Sequence, residues 1–169
     1  MRSIFAAVLV FAFAGPVHAE TMEVRPDAPV ASFTFPDDWK TTRVERGVQA
    51  KTDDDEVYIW VETYKPNELE TVVAEHNAYW KREGVKITGR DLTQRVENGV
   101  TVQVVSEKAT YEGKPTVLYY LEYDLGLTSK SNILITYWAS PEGDTEYSDD
   151  VKSIIGSMVV TETGKQASQ

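Results

Sequence analysis

The sequence predicts an α+β fold built on a single antiparallel β-sheet flanked by helices. Three observations predict it. Apolar and polar residues alternate along several segments, as they do in half-buried strands. Short turn signals such as Asn98-Gly99 and Glu112-Gly113 join most of these segments, which makes consecutive strands antiparallel. Two other stretches carry apolar residues at three- and four-residue steps, one inside the strand series and one after it.

The first residues read as a targeting segment. Arg2 precedes the apolar run Ile4 to Ala14, Gly15 and Pro16 break it, and Val17-His18-Ala19 offers a small-residue cleavage site. Residues 1–19 are therefore expected to be a cleaved signal peptide. The run is too short to cross a bilayer, which takes about 20 apolar residues, and no later segment is apolar enough to do so. Residues 20–29, with Pro26 and Pro29, read as an extended lead-in. Residues 30–160 read as one domain and 161–169 as a polar tail.

The domain opens on Val30 to Lys40. Phe33 and Phe35 share one face of a strand, Pro36 ends it, Asp37 and Asp38 form a turn, and Trp39 pins that turn to a core. Lys40 to Arg46 is a strand that Val48 to Thr52 continues after a kink. Asp53 to Glu56 is a polar turn. Val57 to Tyr64 is a strand with Val57, Ile59 and Val61 on one face and Tyr58, Trp60 and Tyr64 on the other. A helix is predicted from Asn67, its cap, to Glu83, with Glu70 at the capping-box position. Its stripe is Leu69, Val72, Val73, His76, Tyr79 and Trp80, and Gly84 stops it.

Four strands follow: Val85 to Arg95 with a bulge at Gly89, Val100 to Tyr111, Thr116 to Leu125, and Ser131 to Ser140. Pro141 to Asp144 reads as a turn that ends the sheet. A second helix is expected over about 145–158, with Tyr147, Val151, Ile154, Ile155 and Met158 as its stripe and Gly156 allowing close packing on the sheet.

Composition narrows the chemistry. The chain has 17 Lys and Arg against 27 Asp and Glu, a formal net charge of −10, so a polyanion such as nucleic acid is an unsuitable partner. It has no Cys, hence no disulfide, thiol nucleophile or thiolate metal site. His76 is the sole histidine outside the leader, and it sits on an apolar stripe, where it reads as a core residue. No Gly-x-Ser-x-Gly elbow and no phosphate loop is present. Asp53 to Glu56 lacks the alternate spacing and the glycine of an EF-hand, and reads as a solvated turn. No catalytic residue, metal or cofactor is assigned. The candidate binding surface is the aromatic strand face of Tyr58, Trp60, Tyr64, Tyr120 and Trp138, which the second helix is expected to cover at least in part.

The opening Phe33-Thr34-Phe35-Pro36-Asp37-Asp38-Trp39, the strand order, and a closing helix over Val151 to Val160 resemble the PsbP-like superfamily. That superfamily spans PsbP, the yeast Ran-binding Mog type and DcrB-like bacterial envelope proteins. The resemblance covers about residues 30–160. It implies an αβα sandwich with helices on both sheet faces, no shared catalytic motif, and members that bind proteins or assist assemblies. The lipid-bearing Cys of DcrB is absent. The expected function is an exported, non-catalytic protein of the periplasm that binds a protein partner or assists an envelope assembly. The alternatives are a small apolar-ligand or glycan carrier with a sheet–helix cavity, and a carboxylate-dependent hydrolase.

Overall fold

The eight residues of the strand Val57–Tyr64 fix the architecture, because their two faces are filled by different layers. A computed structural model describes residues 19–25, 30–97, 99–126 and 130–161. The expected leader up to residue 18, Pro26 to Pro29, the Asn98 turn position, residues 127–129 and the tail from 162 lie outside the described residues.

Among the described residues, ten strands and three helices occur in the order β1 (Ala19–Val24), β2 (Ala31–Pro36), β3 (Lys40–Val44), β4 (Gly47–Lys51), β5 (Val57–Tyr64), α1 (Leu69–Glu83), β6 (Lys86–Glu97), β7 (Val100–Tyr111), β8 (Lys114–Asp124), β9 (Asn132–Ala139), α2 (Pro141–Glu146), α3 (Ser148–Gly156) and β10 (Val159–Val160). All pairings are antiparallel. They form two sheets instead of the expected one: a seven-stranded sheet β3-β4-β5-β9-β8-β7-β6 and a three-stranded sheet β1-β2-β10. The expected lead-in supplies β1, which pairs with β2 from Ala19↔Pro36 to Val24↔Ala31. Val159 and Val160, expected to continue the closing helix, add β10 to the other side of β2.

The layers follow from side-chain alternation. Val57, Ile59 and Val61 join Ile133, Ile135 and Tyr137 in a core against Phe33 and Phe35 of the small sheet and Val151 and Ile154 of α3. Each such buried side chain contributes roughly 1.5–3 kcal/mol. The opposite face, with the aromatic residues of β5, packs on Val72 and Trp80 of α1. Trp39 is buried, at 4 % exposure, and meets Tyr147 edge to face at 6.0 Å, as its anchoring role requires.

Local chemistry departs from expectation at four places. β4 does not continue β3; it turns back on it, with Val44 opposite Gly47. Asn67 does not cap α1. Glu68 holds the cap position and turns its carboxylate back onto the Lys65 backbone N–H and amine instead. Pro141 to Asp144 is no turn but the start of α2, because Ser140 accepts a hydrogen bond from the Gly143 N–H and Pro141 fills the first helical turn. Gly156 has no close neighbour. The glycines that permit close approach are Gly47, where a Cβ would lie 1.9 Å from the Val61 carbonyl oxygen, and Gly143, where it would lie 2.8 Å from the Glu56 Cβ.

Candidate functional site

Cross-strand register places the aromatic residues in rows. Tyr58 of β5 lies opposite Trp138 of β9, which lies opposite Leu118 of β8. One step along, Trp60, Thr136 and Tyr120 form the next row, and Glu62, Leu134 and Glu122 the next. α1 crosses this face. Its first turns cover Tyr64, Tyr120, Leu134 and Val105 through Leu69 and Val72, and its last turn sets Trp80 against Leu118, Trp60 and Trp138. The helix that covers the aromatic face is thus the first. The second helical segment lies in the core on the other side of the sheet.

The five candidate residues divide accordingly. Tyr64 and Tyr120 are buried, at 5 % and 6 % exposure, and burial pushes both phenols up to about 12. Tyr120 accepts a hydrogen bond from the Trp80 indole N–H at 2.5 Å. Tyr58, Trp60 and Trp138 are half-buried at the end of α1. Tyr58 stacks on Trp60 (5.8 Å, 16°) and on Trp138 (5.4 Å, 28°). Tyr111, 38 % exposed, meets Trp138 edge to face at 5.3 Å. The Lys51 amine sits 5.7 Å from the Tyr58 ring centroid, a cation–π distance. The Trp138 indole N–H donates to the Thr116 hydroxyl, which donates to the Ala139 carbonyl, so its polar edge is satisfied.

Beside this stack, a cleft of about 210 Å³ opens between β5 and α1, walled by Trp60, Tyr79, Trp80 and Val44 and floored by His76, Glu62 and Glu75. The polar floor is a connected network. His76 Nε2 lies 2.8 Å from Glu62 Oε2, and His76 Nδ1 lies 3.3 Å from the Thr136 hydroxyl. Arg46 bridges Glu62 (3.3 Å) and Glu75 (2.7 Å). Burial pushes the Glu62 carboxyl up, but the His76 hydrogen bond and the charges of His76 and Arg46 outweigh it, and the carboxyl stays below its ordinary range.

A hydroxyl, an imidazole and a carboxylate in line have the parts of an acyl-transfer triad. Here the hydroxyl is Thr136, at 0 % exposure in the middle of β9, with no path for a substrate carbonyl to reach it. What the array does is satisfy a histidine and a carboxylate beneath a helix, as buried polar groups require. Among the described residues no group of three His, Asp or Glu side chains could hold a metal ion.

Sequence reasoning missed Arg46, Glu62 and Glu75. One signal was available: Glu62 alternates with Trp60 and Tyr64 on a face otherwise aromatic, and a carboxylate there needs partners from elsewhere in the chain. It also missed Glu107, whose fully buried side chain accepts from the Arg90 guanidinium across β6 and β7.

No protein-family profile and no curated protein matches this sequence. Solved structures do. The solution structure of cyanobacterial PsbP from Synechocystis sp. PCC 6803 matches with a TM-score of 0.61 at 8 % identity, covering 90 % of this chain and 98 % of that one. LpqN of Mycobacterium tuberculosis, described as involved in cell envelope biogenesis, matches at 0.53 with 12 % identity, covering 85 % and 91 %. The Saccharomyces cerevisiae Ran-binding protein Mog1p matches at 0.50 with 10 % identity, covering 85 % and 96 %. At such identities the likeness concerns the fold, and the fold is the PsbP-like one that the opening motif and the strand order pointed to.

Proposed function

We propose that this chain is an exported, non-catalytic protein that binds a protein partner, or assists an envelope assembly, through the aromatic end of its large sheet. The observation that carries this reading is the half-buried Tyr58–Trp60–Trp138 stack, which the last turn of α1 covers only in part and which is continuous with a cleft of about 210 Å³. Cavities that enclose small ligands run from about 300 to 1,000 Å³. The smaller cleft suits one inserted side chain better than a carried ligand, which favours the partner over the carrier. Against the hydrolase stands the occupation of both cleft carboxylates by Arg46. Support for an envelope role is the leader-like sequence of residues 1–19, and the described residues contain no helix long and apolar enough to cross a membrane.

The test is site-specific photocrosslinking in cells. A photoactivatable residue at Tyr111 should trap a discrete envelope protein, while the same probe at Lys152 should not. Trp60→Ala with Trp138→Ala should abolish that product. An unchanged product in the double variant would refute the assignment of this surface, and recovery of the chain with its leader uncut in the cytoplasm would refute export.

A further inference from the structure

The two edges of the large sheet differ. β3 is five residues long, a blunt edge. β6 is twelve residues long and, among the described residues, paired on one side only, so it presents a row of backbone groups without a strand partner there. It also carries Leu92 and Val96, 63 % and 69 % exposed, the two most exposed large apolar side chains among the described residues. Both point to the same face of the sheet, since they lie opposite Val105 and Thr101 of β7.

The length of regular edge is bounded. The pairing with β7 shifts register between Ile87 and Gly89, and β6 ends at Glu97. The uninterrupted edge is therefore residues 89–97, and its midpoint is Thr93. We infer that two copies of the chain pair antiparallel along this edge, about a two-fold axis at Thr93, to form one continuous sheet.

Side-chain complementarity selects this occupant and this register. With Thr93 opposite itself, Asp91 faces Arg95 of the second copy and Arg95 faces Asp91, so two opposite-charge pairs form across the joint. Leu92 and Gln94 face each other, and Leu92 lies diagonal to both Leu92 and Val96 of the other copy, close enough for apolar contact. Arg90 faces Val96 and is neutralised within its own chain by Glu107 of β7, so it brings no unpaired charge to the joint. Gly89 faces Glu97. No like charges stand opposite. Shifting the partner strand by two residues, so that Gln94 faces itself, sets Asp91 against Glu97 twice. Within one chain Asp91 contacts Lys108, and Arg95 contacts Glu97, on side chains a third to two-thirds exposed; such surface pairs exchange partners at little cost.

The test uses the chain expressed with its own leader, in sedimentation velocity from about 1 µM to about 1 mM. Concentration-dependent dimer is expected. Asp91→Arg alone, or Arg95→Asp alone, sets two like-charge pairs across the joint and should weaken dimerisation about tenfold. An equimolar mixture of the two variants forms complementary pairs at both positions and should recover wild-type affinity. Leu92→Lys, at an exposed site that leaves the monomer's far-ultraviolet circular dichroism unchanged, should also abolish dimer. A monomer at every concentration would overturn the inference. So would a dimer indifferent to these changes, or a mixture no tighter than either variant alone.

Discussion

Removing the Trp80 indole tests the idea that one side chain locks α1 onto the aromatic face. Trp80 is 1 % exposed. Its ring meets Trp60 at 5.7 Å, Trp138 at 5.4 Å and Tyr79 at 4.8 Å, all edge to face. Its N–H donates to Tyr120, itself 6 % exposed. Trp80→Ala is expected to destabilise the chain by about 3–5 kcal/mol through lost burial and the cavity left behind. That is a large part of a typical 5–15 kcal/mol of total stability. Trp80→Phe and Tyr120→Phe separate the hydrogen bond from the packing. Each single change strands a buried polar group and should cost about 1–3 kcal/mol. The double variant strands none, so it should be more stable than the sum predicts by about 1 kcal/mol. Urea unfolding followed by far-ultraviolet circular dichroism gives the four free energies. Additivity to within about 0.5 kcal/mol would refute the coupling, and a Trp80→Ala cost below about 1.5 kcal/mol would refute the anchoring role.

Three further outcomes follow from the structure. The Glu62 carboxyl is held below its ordinary 4.5 in the fold, so its contribution to stability is complete above that value and drains away as pH falls below it; Glu62→Gln should flatten the stability curve between about pH 5 and 3, and curves that stay parallel would sink the argument. Gly47→Ala drives a Cβ into the Val61 carbonyl and should cost about 1–3 kcal/mol or more, whereas Gly156→Ala meets open space and should stabilise α3 by about 0.5–1 kcal/mol; thermal melts that rank the two the other way would contradict the packing described. Trp39→Ala empties a site buried at 4 % exposure against Tyr147 and should cost about 3–5 kcal/mol in the same assay, and a full wild-type melting temperature would show that the opening turn needs no anchor.

What the sequence disclosed was local. The two faces of β5 were readable because alternation sorts Val57, Ile59 and Val61 from Tyr58, Trp60 and Tyr64 without reference to anything distant. The bulge near Gly89 and the stop at Gly84 were readable for the same reason. Partnership between distant segments was not. Phe33 and Phe35 look the same whether β2 joins the large sheet or leaves it, and its real partners are a segment assigned to a lead-in and a dipeptide assigned to a helix. Ser140 to Gly143 was legible in principle, since a serine before a proline is a helix start as much as a turn. The candidate site split for a related reason. Alternation put five aromatic residues on one face, but only the path of α1 decides that Tyr64 and Tyr120 are interior while Tyr58, Trp60 and Trp138 reach the surface.

That path also explains why the free surface lies where it does. Fifteen residues of α1 span about 22 Å, while the twelve residues of β7 span about 40 Å. One helix therefore cannot roof this face of a seven-stranded sheet, whereas the other face has a second sheet and α3 against it. Two sectors stay partly open: the Tyr58–Trp138–Tyr111 end at the last turn of α1, and the Leu92–Val96 flank on β6. In the first, Tyr58 stacks on both neighbouring tryptophans and has the Lys51 amine over its ring, so the proposed partner would meet a filled aromatic cluster and the cleft beside Trp60 instead of an open aromatic plate. A contact of that geometry is directional. Under the proposed function it would select a partner by the shape of one inserted side chain, and that would distinguish this surface from the β6 edge, where recognition would run through backbone hydrogen bonds and reciprocal charge.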